Sequence, residues 1–501
     1  MRPYSIHQWR QCDGLSLAIN YYNEGMHFFS PAIHYLGAAP DGKACPAEFP
    51  VIYYVVALLW KIFGYHEFIF RLVEICFGYT GLYFLFKLAK ELLNDGFWAI
   101  LISLFLFSSP IVAYYSPGFL SDFPALCFAL IAWYFFFRFY KDEKNSHYYI
   151  AMFFFMLAGL LKITALLSFI PIVIIYFIEL AGLYTFKKSG KVFKKPLIQA
   201  LPILAVALIN VSWIEYVLYY NTRYGSGVFR TDTTPFWNAS FGERWSTLRA
   251  LYNNMLPQVI NMPCLMGIFI LFLFILLFYK RINKLLLLLC ISVFAGSVLY
   301  ILLWFRLLNV HDYYLTQSIL FIPLVLLTFL CFLNKEYPTA LKSGKIKLLA
   351  AIILLFSVYS CAVKTQMKYD SSYGVAKYSY LVTKQDVEYI DWYNWDYANH
   401  FDALETITPY LRSLNISRTD KVISIPDRSY NISLCLMDQK GFTDVGYQWG
   451  DNEQQSITDA IKKGAKYLIV NDEKLLSQDW IKPFITNKIG QYKNVTIYRC
   501  N

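Results

Sequence analysis

Long stretches without a charged side chain set the strongest limit on how this chain folds. Residues 97–109, 125–137, 268–278 and 285–303 contain no Asp, Glu, Lys or Arg. A helix that crosses the apolar core of a bilayer, about 30 Å thick, needs about 20 apolar residues because each adds about 1.5 Å. The pattern predicts ten transmembrane helices, at 69–90, 97–116, 121–140, 148–164, 167–184, 197–219, 263–280, 284–305, 314–334 and 346–364. A soluble protein could bury one or two such runs, so ten of them indicate a polytopic α-helical membrane protein.

The basic residues indicate how the predicted helices are oriented. They cluster in every second loop, at 87–90, 138–144, 187–195, 280–284 and 335–347. The positive-inside rule places such loops in the cytoplasm. This distribution accounts for the net charge of +11, and no basic soluble module accompanies it, so we predict no nucleic-acid partner. We expect a multi-pass protein of the cell (inner) membrane.

The same alternation of loops divides the chain into three regions. Residues 1–68 form an external loop with interfacial helices, and residues 69–364 form the transmembrane bundle with an external loop at 220–262. After the last predicted helix, short β-type runs alternate with helical stretches such as 454–463, which predicts a small extracytoplasmic α/β domain at 365–501. The predicted strands are 421–425, 432–437, 467–470 and 495–499.

Segment 49–64 is apolar but short for a membrane span, and its second residue is a proline. If it crossed the membrane, the residues before it would lie on the cytoplasmic side, away from the other candidate site residues. We therefore predict an amphipathic helix in the outer interface. Tyr53, Tyr54 and Trp60 would then lie at the level of the lipid headgroups.

Ionisable side chains are few within the predicted spans and gather at their outer ends. Asp13 precedes a helix-like stretch, while Glu48 and Asp122 each precede an aromatic residue followed by proline. Each has an ordinary structural interpretation, as an N-cap for Asp13 or as a first-turn acid favoured by the helix dipole for the other two. Three acids on one side of the membrane together favour a site there, since a transporter holds such groups in mid-membrane.

Four short strings carry a family resemblance. They are His7–Asp13 (HQWRQCD), Glu48–Pro50 (EFP), Ser121–Pro124 (SDFP) and His311–Tyr314 (HDYY). In this order they resemble bacterial relatives of the protein O-mannosyltransferases. More broadly they resemble the GT-C membrane glycosyltransferases, which include the lipid A aminoarabinose transferase. The resemblance implies a polytopic helical fold of the GT-C type with the small C-terminal extracytoplasmic α/β domain described above.

The resemblance also implies a reaction. Such enzymes transfer a sugar from a polyprenyl-phosphate donor, with inversion, to a protein, lipid or glycan acceptor outside the cytoplasmic membrane. It implies that Asp13 is the base, or the residue that positions the acceptor, and that Glu48 and Asp122 complete the acidic site. The chemistry is consistent with these roles, because the acceptor hydroxyl needs a carboxylate within hydrogen-bond reach. The departing phosphate needs cationic or hydroxyl donors.

The phosphate contacts are less directly implied, because the aminoarabinose transferase has a lysine where this chain has Phe49. We expect the donor phosphate to be bound by other residues, with Arg10, Lys162, Arg306, Tyr313 and Tyr314 as candidates. Two of these have ordinary interpretations as well. Lys162 could be a lysine whose amino group reaches the membrane interface, and Arg306 could be a helix-end anchor.

His311 and Asp312 are candidates for a further part of the site. Two adjacent ligands without a third at metal-ligand spacing are a weak metal signal. Enzymes of this family that use monophosphate donors generally work without an essential metal. We therefore expect no required cofactor and no metal site, with a divalent cation bridging Glu48 and Asp122 as the open alternative.

The resemblance implies one transmembrane helix ahead of the string that holds Asp13, and we expect the printed sequence to lack it. Two other classes of function stay open at this point. A transporter or flippase of lipid-linked sugars would share a lipid-facing cavity, but the sequence has no internal repeats or Gly/Pro-broken helix pairs. A non-catalytic scaffold would leave the clustered acids without a role.

Overall fold

The structure is a computed structural model that describes residues 2–187, 189–229, 232–370, 379–446 and 453–500. Its N-terminal part, up to residue 370, is almost entirely helical, and a five-stranded sheet lies in the C-terminal part. The helices of the first part are α1 (Gln8–Glu24), α2 (Val51–Phe63), α3 (Glu67–Leu93), α4 (Gly96–Phe107), α5 (Pro110–Tyr115), α6 (Asp122–Asp142), α7 (Asn145–Leu161), α8 (Ile170–Leu180), α9 (Pro196–Tyr224), α10 (Phe241–Ala250), α11 (Leu256–Val259), α12 (Met262–Leu277), α13 (Lys284–Leu303), α14 (Phe321–Glu336), α15 (Pro338–Lys342) and α16 (Gly344–Tyr369).

Seven helical segments of the described chain are long and apolar enough to cross a membrane. The segment Phe241–Val259 together with α12 would be an eighth span, although the two parts meet at an angle of 88°. These eight correspond to eight of the ten predicted spans. The other two predicted spans, 97–116 and 148–164, are represented by the shorter helices α4 and α7, of 12 and 17 residues.

The predicted span 97–116 is wrong as a single helix, and proline explains the break. α4 ends at Phe107 and α5 begins at Pro110, whose ring supplies no backbone N–H and would clash with the preceding turn of a continuous helix. Ser109 instead caps α5, because its side chain accepts a hydrogen bond from the N–H of Val112. This break turns Tyr115, at the end of α5, toward the buried polar residues described below.

The predicted span 148–164 also ends early, at a residue that matters for the site. α7 stops at Leu161 because Lys162 has an extended backbone, with φ −155° and ψ 111°. A 3₁₀ segment, Ile163–Ser168, then leads into α8. Lys162 is therefore held at a break between two helices, where its side chain can turn inward.

The N-terminal segment folds into a pair of helices that pack on each other. α1 begins at Gln8, so Asp13 lies inside the helix and the N-cap interpretation of this residue is wrong. α2 confirms the helix predicted at 49–64, but Tyr53 and Trp60 are completely buried against the rest of the protein. These two rings therefore do not contact lipid headgroups as expected, because Tyr22 of α1 and Tyr65 pack on Trp60 and Phe70 packs on Tyr53.

The C-terminal part contains a mixed sheet with the strand order β2-β1-β3-β5-β4. β1, β2 and β3 run parallel, and β5 and β4 are antiparallel to their neighbours. The elements are α17 (Lys384–Asp396), α18 (Thr408–Ser413), β1 (Val422–Ile425), α19 (Ile432–Met437), β2 (Gly441–Thr443), α20 (Glu453–Lys462), β3 (Tyr467–Val470), β4 (Lys488–Tyr492) and β5 (Val495–Arg499). Three of the predicted strands are correct.

The fourth predicted strand, 432–437, is wrong, because these residues form the buried helix α19. Two parallel neighbouring strands cannot be joined by a tight turn, so the chain between β1 and β2 must cross over, here through a short helix. All six side chains of α19 are buried. A short continuous apolar run can be a buried strand or a buried helix, and the spacing of its apolar residues does not distinguish the strand from the helix.

The C-terminal part is attached to the loop after α1 by backbone and charged contacts. The N–H of Leu36 donates to the carbonyl of Gly441 at 2.8 Å, which extends the sheet beyond the edge strand β2. Arg418 bonds Asp438 at 2.8 Å and Glu24 at 2.7 Å, so its guanidinium joins the sheet region to the end of α1. These contacts bring the N-terminal end of α19 against α1, next to Asp13.

Candidate active site

The first part of the site is an ion pair between the N-terminal helix and the segment before α2. Arg10, in the first turn of α1, pairs with Glu48. Tyr53 donates its hydroxyl to the same carboxylate at 3.1 Å. The N–H of Phe49 donates to the carbonyl of Leu160 at 2.7 Å, which fixes this segment beside the end of α7. Glu48 therefore holds the guanidinium of Arg10 near the break that contains Lys162.

Asp13 lies one turn further along α1, on the same side as Arg10. Its side chain is buried, and its Oδ1 has no hydrogen-bond partner among the described residues. Burial raises the pKa of Asp13 to about 7, and the nearby carboxylate of Asp427 acts in the same direction. Arg10 and the amide of Asn431 act against this rise, since both favour the ionised form. Asp13 is thus a carboxylate poised to exchange a proton near neutral pH.

The second ion pair joins the start of α6 to the break after α7. Lys162 Nζ lies 2.8 Å from a carboxylate oxygen of Asp122. The hydroxyl of Ser121 donates to the carbonyl of Leu161 at 3.1 Å, and the amide of Gln317 donates to the backbone carbonyl of Asp122 at 2.7 Å. These bonds fix the first residue of α6 against two neighbouring segments, and they hold the pair in place.

Lys162 also contacts the aromatic residues that were predicted to bind phosphate. Its ammonium group lies 5.6 Å from the ring centre of Tyr313 and 5.3 Å from that of Tyr314, at cation–π distance. Only 17% of its side chain is exposed. The interpretation of Lys162 as a lysine reaching toward the membrane interface is therefore wrong, because ion pairing and aromatic contacts hold its amino group inside the protein.

Asp312 lies in a third polar group beside the two tyrosines, and its own side chain is completely buried. Its carboxylate accepts a hydrogen bond from the hydroxyl of Tyr115 at 2.6 Å and one from Lys368 Nζ at 3.2 Å. His7 Nε2 lies 3.2 Å from the same carboxylate, and His7 Nδ1 lies 3.3 Å from Nδ1 of His311. The ring of His7 is 5.0 Å from that of Tyr313, so this group adjoins the surroundings of Lys162.

The predicted site residues fall into two locations. Arg10, Asp13, Glu48, Asp122, Lys162, Tyr313, Tyr314, His311 and Asp312 form one connected region. Arg306 is different, because its guanidinium pairs with Glu243 of α10 at 2.7 Å and is 47% exposed. It lines a separate open cleft of about 530 Å³ with Ser246 and Asn309. No contact among the described residues joins Arg306 to Lys162 or Arg10.

Three residues of this region were missed from the sequence. Asn431 comes from the C-terminal part, more than 400 positions after Asp13, and no local signal marks it. Lys368 lies in the last turn of α16, beyond the predicted span 346–364, where a lysine has an ordinary anchoring role. His7 belongs to the quoted string HQWRQCD and could have been singled out there, although its partner Asp312 lies some 300 positions later.

The described residues contain no group of three or more His, Cys, Asp or Glu side chains suited to a metal ion. Glu48 is already paired with Arg10, and Asp122 is paired with Lys162. A cation bridging the two carboxylates would have to compete with both of these basic side chains. The donor set therefore does not fit the bridging cation that the sequence left open.

The fold and this arrangement define a class of protein, which comparisons with solved structures identify. The chain is similar to ArnT from Cupriavidus metallidurans in the apo state, with a TM-score of 0.55 and 9% identity over 98% of this chain and 93% of that one. It is similar to the same protein bound to undecaprenyl phosphate, with a TM-score of 0.53, 10% identity and the same coverage. The arabinofuranosyltransferase AftD from Mycobacteria matches with a TM-score of 0.52 and 11% identity, over 100% of this chain and 38% of that one. The fold is therefore that of the GT-C membrane glycosyltransferases.

A family comparison is more specific than the fold. Residues 45–214 match the family model described as dolichyl-phosphate-mannose-protein mannosyltransferase. This stretch includes Glu48, Asp122 and Lys162. Comparison with the curated proteins gave no match. The family and fold matches together confirm the resemblance to GT-C membrane glycosyltransferases that the four short strings indicated.

Proposed function

We propose that this protein is a membrane glycosyltransferase that moves a sugar from a polyprenyl-phosphate donor to an acceptor hydroxyl, with inversion at the sugar carbon. The reaction takes place on the extracytoplasmic side of the cell membrane, where the positive-inside pattern puts α1 and the N-terminal ends of α6 and α14. The acceptor is a protein, lipid or glycan. The undecaprenyl phosphate bound to ArnT from Cupriavidus metallidurans supports a donor carried on a polyprenyl phosphate.

The observation that carries the proposal is a pair of nearby buried atoms, one a hydrogen-bond donor and one a hydrogen-bond acceptor, that are both without a partner among the described residues. Nη1 of Arg10 and Oδ1 of Asp13 are both buried, and neither has a hydrogen-bond partner among the described residues. Leaving buried polar atoms unpaired is costly, so such atoms in one site indicate a ligand that pairs with them. A substrate that offers one anionic oxygen and one hydroxyl satisfies both.

Asp13 is the group that takes the acceptor proton. A base with a pKa of about 7 is half ionised at neutral pH, and it still has a useful affinity for the proton it removes. As the acceptor oxygen attacks the sugar carbon, the bond from that carbon to the phosphate oxygen breaks and its electron pair stays on the phosphate. The hydroxyl proton passes to Asp13, and this transfer completes the exchange of atoms and charge.

Arg10 and Lys162 stabilise the phosphate that leaves. Both are cations, and Lys162 is fixed by Asp122 and by the rings of Tyr313 and Tyr314. Positioned cations act strongly on developing charge because they need no reorganisation during the reaction. Glu48 and Asp122 then act mainly through the cations they hold, which gives these two acids a role different from that of Asp13.

The test is release of polyprenyl phosphate by the purified protein in lipid nanodiscs. The donors are a panel of polyprenyl-phosphate sugars, each offered with and without protein, lipid and glycan acceptors. Asp13→Asn removes the base with little change in shape, so we expect turnover to fall about a hundredfold or more while donor binding is retained. Asp479→Asn is the matched control, because Asp479 is an exposed carboxylate of the C-terminal part.

Acceptor-dependent release that Asp13→Asn abolishes and Asp479→Asn leaves unchanged supports the proposal and identifies the sugar. Movement of labelled donor across the bilayer of proteoliposomes, without any release of polyprenyl phosphate, would refute it and would establish a transporter instead. A Glu48→Gln variant that keeps full turnover would contradict the role given to the pair that holds Arg10.

A further inference from the structure

The pair formed by His7 and His311 gives the proposed site a second group that can carry a proton, and this inference rests on the proposed function. The structure aligns four side chains in a row, Lys368, Asp312, His7 and His311, with the contacts given above. The first three are buried, and His311 is the member that is partly open to its surroundings. The buried polar groups of this row therefore lie where they can change the proton affinity of the His311 ring.

The contacts in this row allow His311 to accept a proton at Nε2. His7 Nε2 lies 3.2 Å from the carboxylate of Asp312 without forming a hydrogen bond to it. His7 Nδ1 lies 3.3 Å from Nδ1 of His311, so one of these two nitrogens carries the hydrogen between them. When His311 carries that hydrogen, the Nε2 atom of its neutral ring has a lone pair that can accept a proton.

The surroundings keep His311 neutral while the site is empty. Burial lowers the pKa of His311 to about 3, and the neighbouring His7 acts in the same direction. Lys162 adds to this effect, whereas Asp312 opposes it. A doubly charged anion placed among these groups raises the pKa of His311, because a negative charge nearby favours the protonated ring.

The geometry around His311 connects it with the proposed phosphate site. Its ring lies 5.5 Å from the ring of Tyr313 and 5.7 Å from that of Tyr314, the same two rings that Lys162 covers. Among the described residues, two more aromatic rings face the pair, those of Tyr115 and Tyr393 at 6.4 Å and 6.3 Å from the ring of His7. A phosphate over the two tyrosines would thus be close to both Lys162 and His311.

The backbone at His7 is a separate sign that the position of this ring matters. His7 has φ 55° and ψ 31°, in the left-handed region that non-glycine residues rarely adopt. Such a conformation persists only where the surrounding structure enforces it, and it is often found at functional sites. Here it turns the ring inward at the start of α1, between Asp312 and His311.

We infer that His311, supported by His7 and Asp312, is the residue that takes up a proton when the product polyprenyl phosphate is formed and held. The donor is a phosphodiester with one negative charge, and the product is a phosphomonoester with two. When the sugar–oxygen bond breaks, the phosphate gains the second charge, and a solvent proton is bound at Nε2 of His311 to form an imidazolium beside it. The row thereby distinguishes the product from the donor by charge.

The experiment measures protons and affinity together. A short-chain polyprenyl phosphate is titrated into the full-length protein by calorimetry in two buffers with different ionisation enthalpies, such as HEPES and Tris, at about pH 7.5, where the free monoester is mostly doubly charged. The difference between the buffers gives the number of protons taken up. The methyl ester of the same compound, which stays singly charged, is the comparison ligand and imitates the donor.

We expect the unmodified protein to take up about one proton with the phosphomonoester and close to none with the methyl ester. His311→Gln should abolish the uptake and weaken monoester binding about tenfold, while methyl ester binding changes little. His7→Asn keeps a residue that accepts the left-handed backbone and should also reduce the uptake. His27→Gln, at an exposed histidine outside the site, should behave as the unmodified protein.

Two results would overturn the inference and leave the proposed function standing. One is tight monoester binding without proton uptake, and the other is uptake that survives both His311→Gln and His7→Asn, since the proton would then be on the phosphate or another group. Failure to bind either compound would refute the proposed function itself, and this inference with it. Thermal unfolding of each variant shows whether it is still folded. If one of the two histidine variants has lost its fold, proton uptake by the other variant tests the inference.

Discussion

The amide of Asn431 offers a sharp test, because it connects the C-terminal part to the proposed base. The side-chain amide of Asn431 acts on Asp13 and lowers its pKa, in opposition to the rise caused by burial. Its side chain is also close to the backbone carbonyl of Cys12, at 3.4 Å. In Asn431→Ala the anion of Asp13 loses this donor, so the pKa of Asp13 rises further above its ordinary value.

The size of the change follows from the energy of such a bond. A hydrogen bond to a charged group contributes about 1.5–3 kcal/mol, and one pKa unit corresponds to about 1.4 kcal/mol. Water that enters the space left by the amide recovers part of this energy. We therefore expect the acid limb of the activity profile to move by about one pH unit in the alkaline direction. Asp13 must be ionised to act as a base, so activity is lost below its pKa and retained above it.

The assay is kcat/KM for polyprenyl phosphate release between about pH 5.5 and 9.5. For the unmodified protein we expect a rise of up to tenfold per pH unit that levels off above about pH 7. Asn431→Ala should lose about five- to tenfold near neutral pH and recover at alkaline pH. Asn487→Ala, an exposed asparagine of the same part of the chain, is the control. An unchanged acid limb, or an equal loss at every pH, would refute the reasoning, since the second result indicates only altered docking of the C-terminal part.

Three further predictions follow from the charged contacts. Lys162→Met should weaken binding of polyprenyl phosphate about ten- to a hundredfold in calorimetry, because it removes a cation and leaves Asp122 unpaired. Unchanged affinity would exclude Lys162 from the phosphate site. Arg306→Ala should change the same affinity by less than about twofold, since its guanidinium is paired outside the connected region; a loss as large as that of Lys162→Met would restore its predicted role. Burial, the largest cause, lowers the pKa of His34 to about 4, below an unfolded value of about 6.5, so stability is full above about pH 6.5 and is lost as the pH falls toward 4. Thermal unfolding in detergent should show this loss, and His34→Gln should reduce its pH dependence.

The class of protein and much of the site could be predicted from local sequence. The length of an apolar run is a property of consecutive residues, so the seven long spans of the described chain were predicted within a few positions. The breaks at Pro110 and Lys162 were not. The three acids were singled out because each belongs to one of the short strings that resemble the GT-C glycosyltransferases. The small sheet was recognised from turn residues and β-type runs, except where the buried helix α19 has the composition of a strand.

The structure was needed wherever a residue acts through a distant partner. Lys162 and Arg306 each have an ordinary interpretation in the sequence, and only the fold shows that Lys162 pairs inside with Asp122 and Arg306 outside with Glu243. The contacts of His7 and Asn431 depend on segments some 300 to 400 positions away.

The sequence by itself determined that the chain crosses a membrane and carries three acids in short motifs, because length and local chemistry are contained in neighbouring residues. The tertiary structure decided that Arg10 pairs with Glu48 and that Lys162 pairs with Asp122. It also decided that the proton affinity of Asp13 is near neutral, because burial and the field of surrounding charges arise only when α1, the bundle and the C-terminal part pack together.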